Sequence, residues 1–249
     1  MAVDPDLADR YDKVRERIRL ACGSAGRDSS EVTLIVVSKV HPAQLVLDLL
    51  ALGQTAFGEN KDQEAKPKFL QVKDALANYT LTKDATYGGL SAPDVHFVGQ
   101  LQSNKAKSVM SYASTIHSLD RDSLLTALAK ETSLRSTDAQ PTNVFIELNL
   151  TDDVNRGGIR PDGLLGFAER VLAMPGLNLL GVMGVASLDN EPERDFALIQ
   201  EASAKLQTLS SGARFISAGM SNDFELALQF GATHLRIGTA ITGPRSYLT

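Results

Sequence analysis

The sequence predicts a (β/α)8 TIM barrel carrying an additional N-terminal helix, with a doubly wound open sheet as the alternative. Three observations lead there. Short apolar runs rich in Val, Ile and Leu alternate eight times with segments of helical periodicity. Such alternation calls for right-handed crossovers and a parallel sheet. The 249 residues match the length of one such barrel and leave none for a second domain, so a single domain over 1–249 is expected.

Leu7, Tyr11, Val14, Ile18 and Ala21 fall at helical spacing, and Gly26 stops that helix; residues 1–30 form the added segment. Thr33 to Lys39 is an apolar, β-branched strand ending on a lysine, bounded by His41-Pro42. A helix from Ala43 to Leu52 starts at Pro42 and closes at Gly53. Thr55-Ala56-Phe57 is a strand ending in Gly58-Glu59-Asn60. A polar helix over Lys61–Leu76 is interrupted near Pro67. Residues 78–93 contain Gly88-Gly89 and no period, and read as an irregular surface insertion.

Val95 to Val98 is the third strand, leaving through Gly99–Lys105 into a helix capped by Ser103 or Asn104 and reaching Tyr112. Thr115 to Ser118 is a strand, and Asp122 or Ser123 opens a helix to Leu134. Ser136–Pro141 is a polar linker, Val144–Asn149 a strand, and Thr151–Ile159 a loop rich in Asp, Asn and Gly. Then come a helix over Pro161–Ala173, a strand over Leu177–Met183 and a helix over Glu191–Leu209. Arg214–Ser217 and His234–Ile237 are the last strands; the helix between them starts after Ala218–Asp223 and ends near Gly231.

A hydrophobic content of 43%, a charged content of 22% and a net charge of −5 describe an ordinary globular chain with no bulk attraction for nucleic acid or an anionic membrane. Cys22 is the only cysteine, which excludes a disulfide framework and a cysteine-based zinc site. His41, His96, His117 and His234 are too scattered for a metal motif. No apolar stretch spans a bilayer, and the acidic start lacks the order of a targeting peptide, so the expected compartment is the cytosol.

Candidate chemistry lies in the loops after the strands, where parallel α/β folds place their sites. Lys39 ends the first strand. It is placed to form a Schiff base with a carbonyl ligand, or simply to extend its amine into water. The Gly219–Asp223 loop offers backbone N–H groups and the Ser221 hydroxyl to a phosphate, or caps the helix that follows. Gly238-Thr239 offers bare backbone and a hydroxyl, or is an ordinary glycine turn. Barrel phosphate sites often combine the loops after strands seven and eight, which supports reading these two together. Arg236 alternates with Leu235 and Ile237, but in a barrel both faces are covered and alternation leaves its direction open. Asn60 is an amide near the site or a helix cap. His96 and His117 read as hydrogen-bonded strand residues rather than catalytic bases. Glu147 and Asn149 read as polar residues inside the barrel.

Taken in order, Val37-Ser38-Lys39, Phe57-Gly58-Glu59-Asn60, His96-Phe97-Val98-Gly99-Gln100-Leu101-Gln102-Ser103-Asn104-Lys105, Gly219-Met220-Ser221-Asn222-Asp223 and Arg236-Ile237-Gly238-Thr239-Ala240-Ile241 form a specific set. Through them the chain resembles the YggS/PROSC family of pyridoxal 5′-phosphate homeostasis proteins, from about Val32 to Arg245. That family shares the barrel of the alanine racemase N-terminal domain. The resemblance implies that Lys39 holds pyridoxal 5′-phosphate as an aldimine. It implies that Ser221, Gly238 and Thr239 bind the phosphate, with Met220 adding backbone contact. Arg236 is implied to face the pyridine nitrogen, and Asn60 to lie beside the ring. A permanent cation at that nitrogen makes the ring a poorer electron sink. Val40 and Lys61 depart from the family pattern, which usually has a small polar residue after the lysine and an aromatic after the asparagine.

The function so implied is cofactor storage and delivery without substantial catalysis, by a monomer whose partners are pyridoxal phosphate and pyridoxal-phosphate-dependent apoenzymes. A minimal amino-acid racemase or another lysine Schiff-base enzyme is the alternative, and a phosphate-binding barrel without covalent attachment the third reading. Racemisation needs acid–base groups on both faces of its substrate, and only Lys39 is found here.

Overall fold

The computed structural model describes residues 3–82, 90–136, 139–151, 153, 156–187 and 192–244. Among them, eight parallel strands close into a barrel in chain order: β1 (Thr33–Val37), β2 (Ala56–Glu59), β3 (Asp94–Phe97), β4 (Thr115–Leu119), β5 (Thr142–Glu147), β6 (Leu177–Met183), β7 (Phe215–Ser217) and β8 (His234–Ile237). Closure occurs where β1 pairs with β8, Thr33 opposite His234 and Val36 opposite Ile237. The barrel, not the open sheet, is therefore the architecture.

The helices are α1 (Pro5–Ser24), α2 (Ala43–Ala51), α3 (Asp62–Thr82), α4 (Ala106–Val109), α5 (Asp122–Ser133), α6 (Leu164–Leu172), α7 (Pro192–Leu209), α8 (Phe224–Gln229) and α9 (Thr239–Thr242). The added helix α1 starts on an Asp4 cap with Pro5 in its first turn, and it buries Leu7, Tyr11, Val14, Ile18 and Cys22. It packs on α8 and α9, and Arg10 Nε donates to the Ile241 carbonyl at 2.8 Å.

Helix α3 corrects the expected break at Pro67 by running through it. Proline removes one hydrogen bond there, but buried Ala65, Lys68, Phe69 and Val72 anchor the helix on either side. The helix also continues to Thr82, so the stretch expected to be irregular from Asn78 begins as helix. Residues 83–89 of that expected insertion lie outside the described residues. The segments after β3 and before α6 begin as 3-10 turns, Ser103–Lys105 and Pro161–Gly163, and the α-helices there are shorter than periodicity suggests.

Aliphatic and aromatic residues such as Val36, Leu49, Phe57, Ile146, Phe167, Val182 and Phe196 fill the layer between sheet and helices. The lumen is different. Phe145 of β5 stacks on His117 of β4 at 4.6 Å, and His234 of β8 meets Phe145 edge-on at 5.1 Å. Contacts between β5 and β8 require both side chains to cross the barrel interior. No helix among the described residues is long and apolar enough to cross a membrane.

Candidate functional site

A cavity of about 410 Å³ opens at the C-terminal end of the strands. Lys39 enters it from β1, Asn60 from β2, Gly99 from β3, Met220 and Ser221 from β7, and Arg236, Gly238 and Thr239 from β8. The seven residues singled out in the sequence (Lys39, Asn60, Met220, Ser221, Arg236, Gly238 and Thr239) thus line one space. A hollow of about 540 Å³ lies at the other end of the barrel, beside α1. Its buried amide, Gln54, is committed to Tyr11 and to the Leu34 and Ala56 carbonyls, and its other polar groups, Asp12, Arg15, Glu16 and Arg19 among them, lie on the outer face of α1.

Lys39 follows β1 in a tight turn closed by the His41 N–H on the Ser38 carbonyl at 3.1 Å. Its side chain is half-buried and has no hydrogen-bond or ion-pair partner among the described residues. Beneath it, Lys68 Nζ donates to the Ser38 carbonyl at 2.7 Å and to Glu59 Oε1 at 2.6 Å. The Ser38 hydroxyl donates to that same Glu59 oxygen at 2.8 Å. Burial pushes the Glu59 carboxyl upward, opposed by the Lys68 charge and the two hydrogen bonds. Gly99 closes this side: a Cβ there would lie 2.2 Å from the Asn60 carbonyl oxygen, so only glycine lets the β3 loop pass.

The opposite side is a pair of backbone turns. Met220 N–H donates to Asp223 Oδ1 at 2.6 Å, and the Asp223 and Phe224 N–H groups return to the Met220 carbonyl. Gly219 precedes them at φ 90°, and its carbonyl accepts from Arg236 N–H at 2.9 Å. After β8, the N–H groups of Ile241 and Thr242 both donate to the Gly238 carbonyl.

Arg236 forms the floor. It is buried, with Nη1 donating to Ser217 Oγ at 2.7 Å and Nη2 to the Gly184 carbonyl at 2.9 Å. Burial pushes its pKa down to about 10, with Glu147 and Asp223 opposing, so it remains a cation at neutral pH. Ser217 Oγ lies 2.8 Å from His117 Nδ1, His117 Nε2 lies 2.9 Å from His96 Nδ1, and His96 Nε2 lies 3.1 Å from Asp94 Oδ2. Burial, with the His96 and Arg236 charges adding, holds His117 well below the usual histidine range, so it is neutral. Arginine only donates and the terminal carboxylate only accepts, which orients the chain. The Ser217 hydroxyl donates to His117 Nδ1, His117 Nε2–H to His96, and His96 Nε2–H to Asp94. His96 and His117 are thus hydrogen-bonded lumen residues, as expected.

Glu147 is half-buried at the mouth, accepts from Gln100 Nε2 at 2.9 Å, and is raised to about 7 by burial and by Asp120. Asn149 corrects its expected place inside the barrel. It lies beyond β5, donates to the Asp153 and Arg156 carbonyls and accepts from Thr151, so it shapes the loop before α6.

The profile of the alanine racemase N-terminal domain matches residues 10–246. The pyridoxal phosphate homeostasis protein of Escherichia coli K12 is 34% identical over 245 residues, 97% of this chain and 98% of that one. Its namesake from Mycobacterium tuberculosis H37Rv is 33% identical over 248 residues, covering 97% and 94%. The chain belongs to the alanine racemase N-terminal domain family, among the pyridoxal phosphate homeostasis proteins. PipY of Synechococcus elongatus, solved with PLP bound, superposes with a TM-score of 0.77 at 28% identity, covering 95% of this chain and all of that one (100%).

Some residues of this homeostasis-family barrel escaped sequence reasoning. Lys68 reads as one more polar residue of a polar helix, yet it falls on the stripe Ala65, Phe69 and Val72 that α3 buries. A charge on that stripe was the available signal. Ser217, Gly184 and Asp223 hold Arg236 or its loop, and no local pattern announces their distance from it.

Proposed function

We propose that this protein binds pyridoxal 5′-phosphate at the barrel mouth and works in the cytosol as a carrier of that cofactor, without substantial catalysis. One observation carries the reading. Seven residues from four strand ends line one cavity, and the side chains of Lys39, Asn60, Ser221 and Thr239 have no partner among the described residues. An amine, an amide, two hydroxyls and a buried guanidinium suit a small anionic aldehyde. The cavity also falls in the size range of small-molecule sites, roughly 300–1,000 Å³. Family membership and the namesake relatives support the same cofactor.

In this reading Lys39 is the covalent attachment point for the cofactor's aldehyde. Ser221, Thr239 and the backbone of Gly238 hold its phosphate, and Met220, whose N–H is engaged by Asp223 Oδ1, shapes the loop beside it. Asn60 lies beside the ring, and Arg236 faces the ring nitrogen. When bound, the cofactor supplies a conjugated ring that withdraws electrons from attached amines. Arg236 tempers this, because a fixed cation at the ring nitrogen disfavours its protonation. The carrier reading over the racemase is supported by the lining: Lys39 and His41 rise from one turn, and the carboxylate across the cavity, Asp223, is engaged by the Met220 N–H, whereas racemisation uses acid–base groups on opposite faces. Delivery to apoenzymes and a monomeric state belong to the proposal; transfer assays and sedimentation test them.

The deciding measurement is the visible spectrum of the protein with pyridoxal phosphate, before and after borohydride, with the labelled peptide mapped. A yellow protein that bleaches with label on Lys39 is expected. Absence of any spectral change leaves a phosphate-binding barrel without covalent attachment, and turnover of an amino acid with proton exchange at Cα returns the racemase.

A further inference from the structure

We infer that Lys68 is a positioning residue for Lys39, acting through the Ser38 carbonyl to hold a strained turn in place. The inference rests on the reading of Lys39 as the attachment amine. The turn Ser38–Lys39–Val40–His41 carries Val40 at φ 61°, the only non-glycine residue with positive φ among the described residues. A β-branched side chain is poorly suited to that region. Val40 is also 54% exposed, so burial does not compensate for the strain. Whatever keeps this conformation must act on the backbone.

Ser38 is where it acts. Its carbonyl receives two donors, His41 N–H at 3.1 Å and Lys68 Nζ at 2.7 Å. Its hydroxyl is fixed on Glu59, which is in turn paired with Lys68. Ser38 and Glu59 are fully buried, Lys68 is 7% exposed, and none of the three lines the cavity. A buried ion pair is a poor source of stability, because desolvation offsets most of its attraction. Here the three groups converge on the residue directly before Lys39. Relaxing Val40 to negative φ requires rotating the Lys39–Val40 peptide, which redirects the Lys39 side chain. With Ser38 pinned from α3, that rotation breaks the His41 bond without a replacement. The strain is thereby retained and the amine stays over the cavity.

The test combines Lys68→Met with Val40→Gly. The readouts are the rate at which borohydride traps pyridoxal phosphate on Lys39, and amide exchange at His41 without any ligand. Strain of this kind is worth about one decade in rate, so Lys68→Met should slow trapping and speed His41 exchange by about tenfold each. Val40→Gly in the Lys68→Met background should restore most of both, because glycine occupies the turn without strain. A purely structural lysine would lower the melting temperature and gain nothing specific at His41 or Lys39 from the glycine. Trapping and exchange unchanged in Lys68→Met, or no recovery in the double variant, overturns the inference. Should Lys68→Met fail to fold, the paired Glu59→Gln/Lys68→Met variant carries the same expectations without an unpaired buried carboxylate. Val40→Gly alone should raise the melting temperature; a fall would show that Val40 is unstrained and overturn the inference. Wild-type protein without label on Lys39 removes the attachment reading instead, and His41 exchange still tests the clamp.

Discussion

The two sides of the cavity are built on different principles. The side from β1 and β2 is held by buried side chains, with Lys68, Glu59 and Ser38 converging behind Lys39. The side from β7 and β8 is held mainly by the backbone: Gly219 accepts from Arg236, Met220 and Gly238 accept from the residues that follow them, and one side chain, Asp223, takes the Met220 N–H. A wall of side chains places one reactive group accurately, and a single substitution can disturb it. A wall of backbone offers several equivalent donors, tolerates side-chain loss and fails only where the chain path itself is blocked. The first suits an amine that must reach one atom; the second suits a phosphate with many acceptor oxygens.

The sharpest asymmetry is expected at the two central residues. Lys39→Ala should abolish covalent attachment completely while the fold survives, since the side chain has no partner to lose among the described residues. Borohydride-trapped cofactor retained in that variant would falsify the assignment. On the other wall, the equivalent break is steric. Gly219 sits at φ 90°, and a Cβ there would meet Ala227 Cβ at 2.8 Å and Phe224 Cα at 3.0 Å. Gly219→Ala should therefore cost about 3 kcal/mol of folding stability from backbone strain and overpacking together. Urea unfolding measures it; a loss below 1 kcal/mol, on the scale of ordinary surface changes, would mean that the β7 turn adapts and the backbone wall is not rigid.

These walls were not equally legible in the sequence. The eight strands and the loops carrying Ser221, Gly238 and Thr239 were readable, because strand periodicity and glycine-rich turns are local signals. So was Lys39, at the end of an apolar run. The supports of Lys39 were not. Lys68 is separated from Ser38 by the whole of β2 and its flanking segments, and only the fold brings them to 2.7 Å. Arg236 was undecidable by alternation, since all four β8 residues are buried. Its direction follows from two partners, Gly184 directly after β6 and Ser217 at the end of β7. Pro67 misled for a related reason: a local rule against proline in helices was outweighed by packing of α3 on both sides of it.

Both walls stand on a shared floor that includes the neutral histidines His117 and His234, and acid probes it. Burial, with His96 and Arg236 adding and Asp94 opposing, holds His234 at about 3 against an ordinary 6.5. The unfolded chain therefore takes up a proton that the folded chain refuses as pH falls through 6.5. Stability is full above that pH and declines below it, by about 2 kcal/mol for this group between pH 6.5 and 5. Glu147, raised to about 7, acts in the opposite sense, since its contribution is present at low pH and lost as pH rises through 7. Comparing wild type with His234→Phe cancels the Glu147 contribution. The variant packs a ring against Phe145 and Phe215 and should lose about 2 kcal/mol less between pH 6.5 and 5. Equal pH slopes in urea unfolding would place the acid sensitivity elsewhere.

The smallest effect is expected at Ser221, and its smallness is what separates the two walls. The Ser221 side chain has no partner among the described residues, so Ser221→Ala leaves no buried group unsatisfied in the protein itself. One hydroxyl on a phosphate oxygen contributes about 1 kcal/mol net, because water competes for both partners. Pyridoxal phosphate should then bind about fivefold to tenfold more weakly to Ser221→Ala, with the Lys39 label and its spectrum unchanged. Titration followed by absorbance measures this. A loss of a hundredfold or more would show that a single side chain carries the phosphate, and that the β7–β8 wall works like the one opposite.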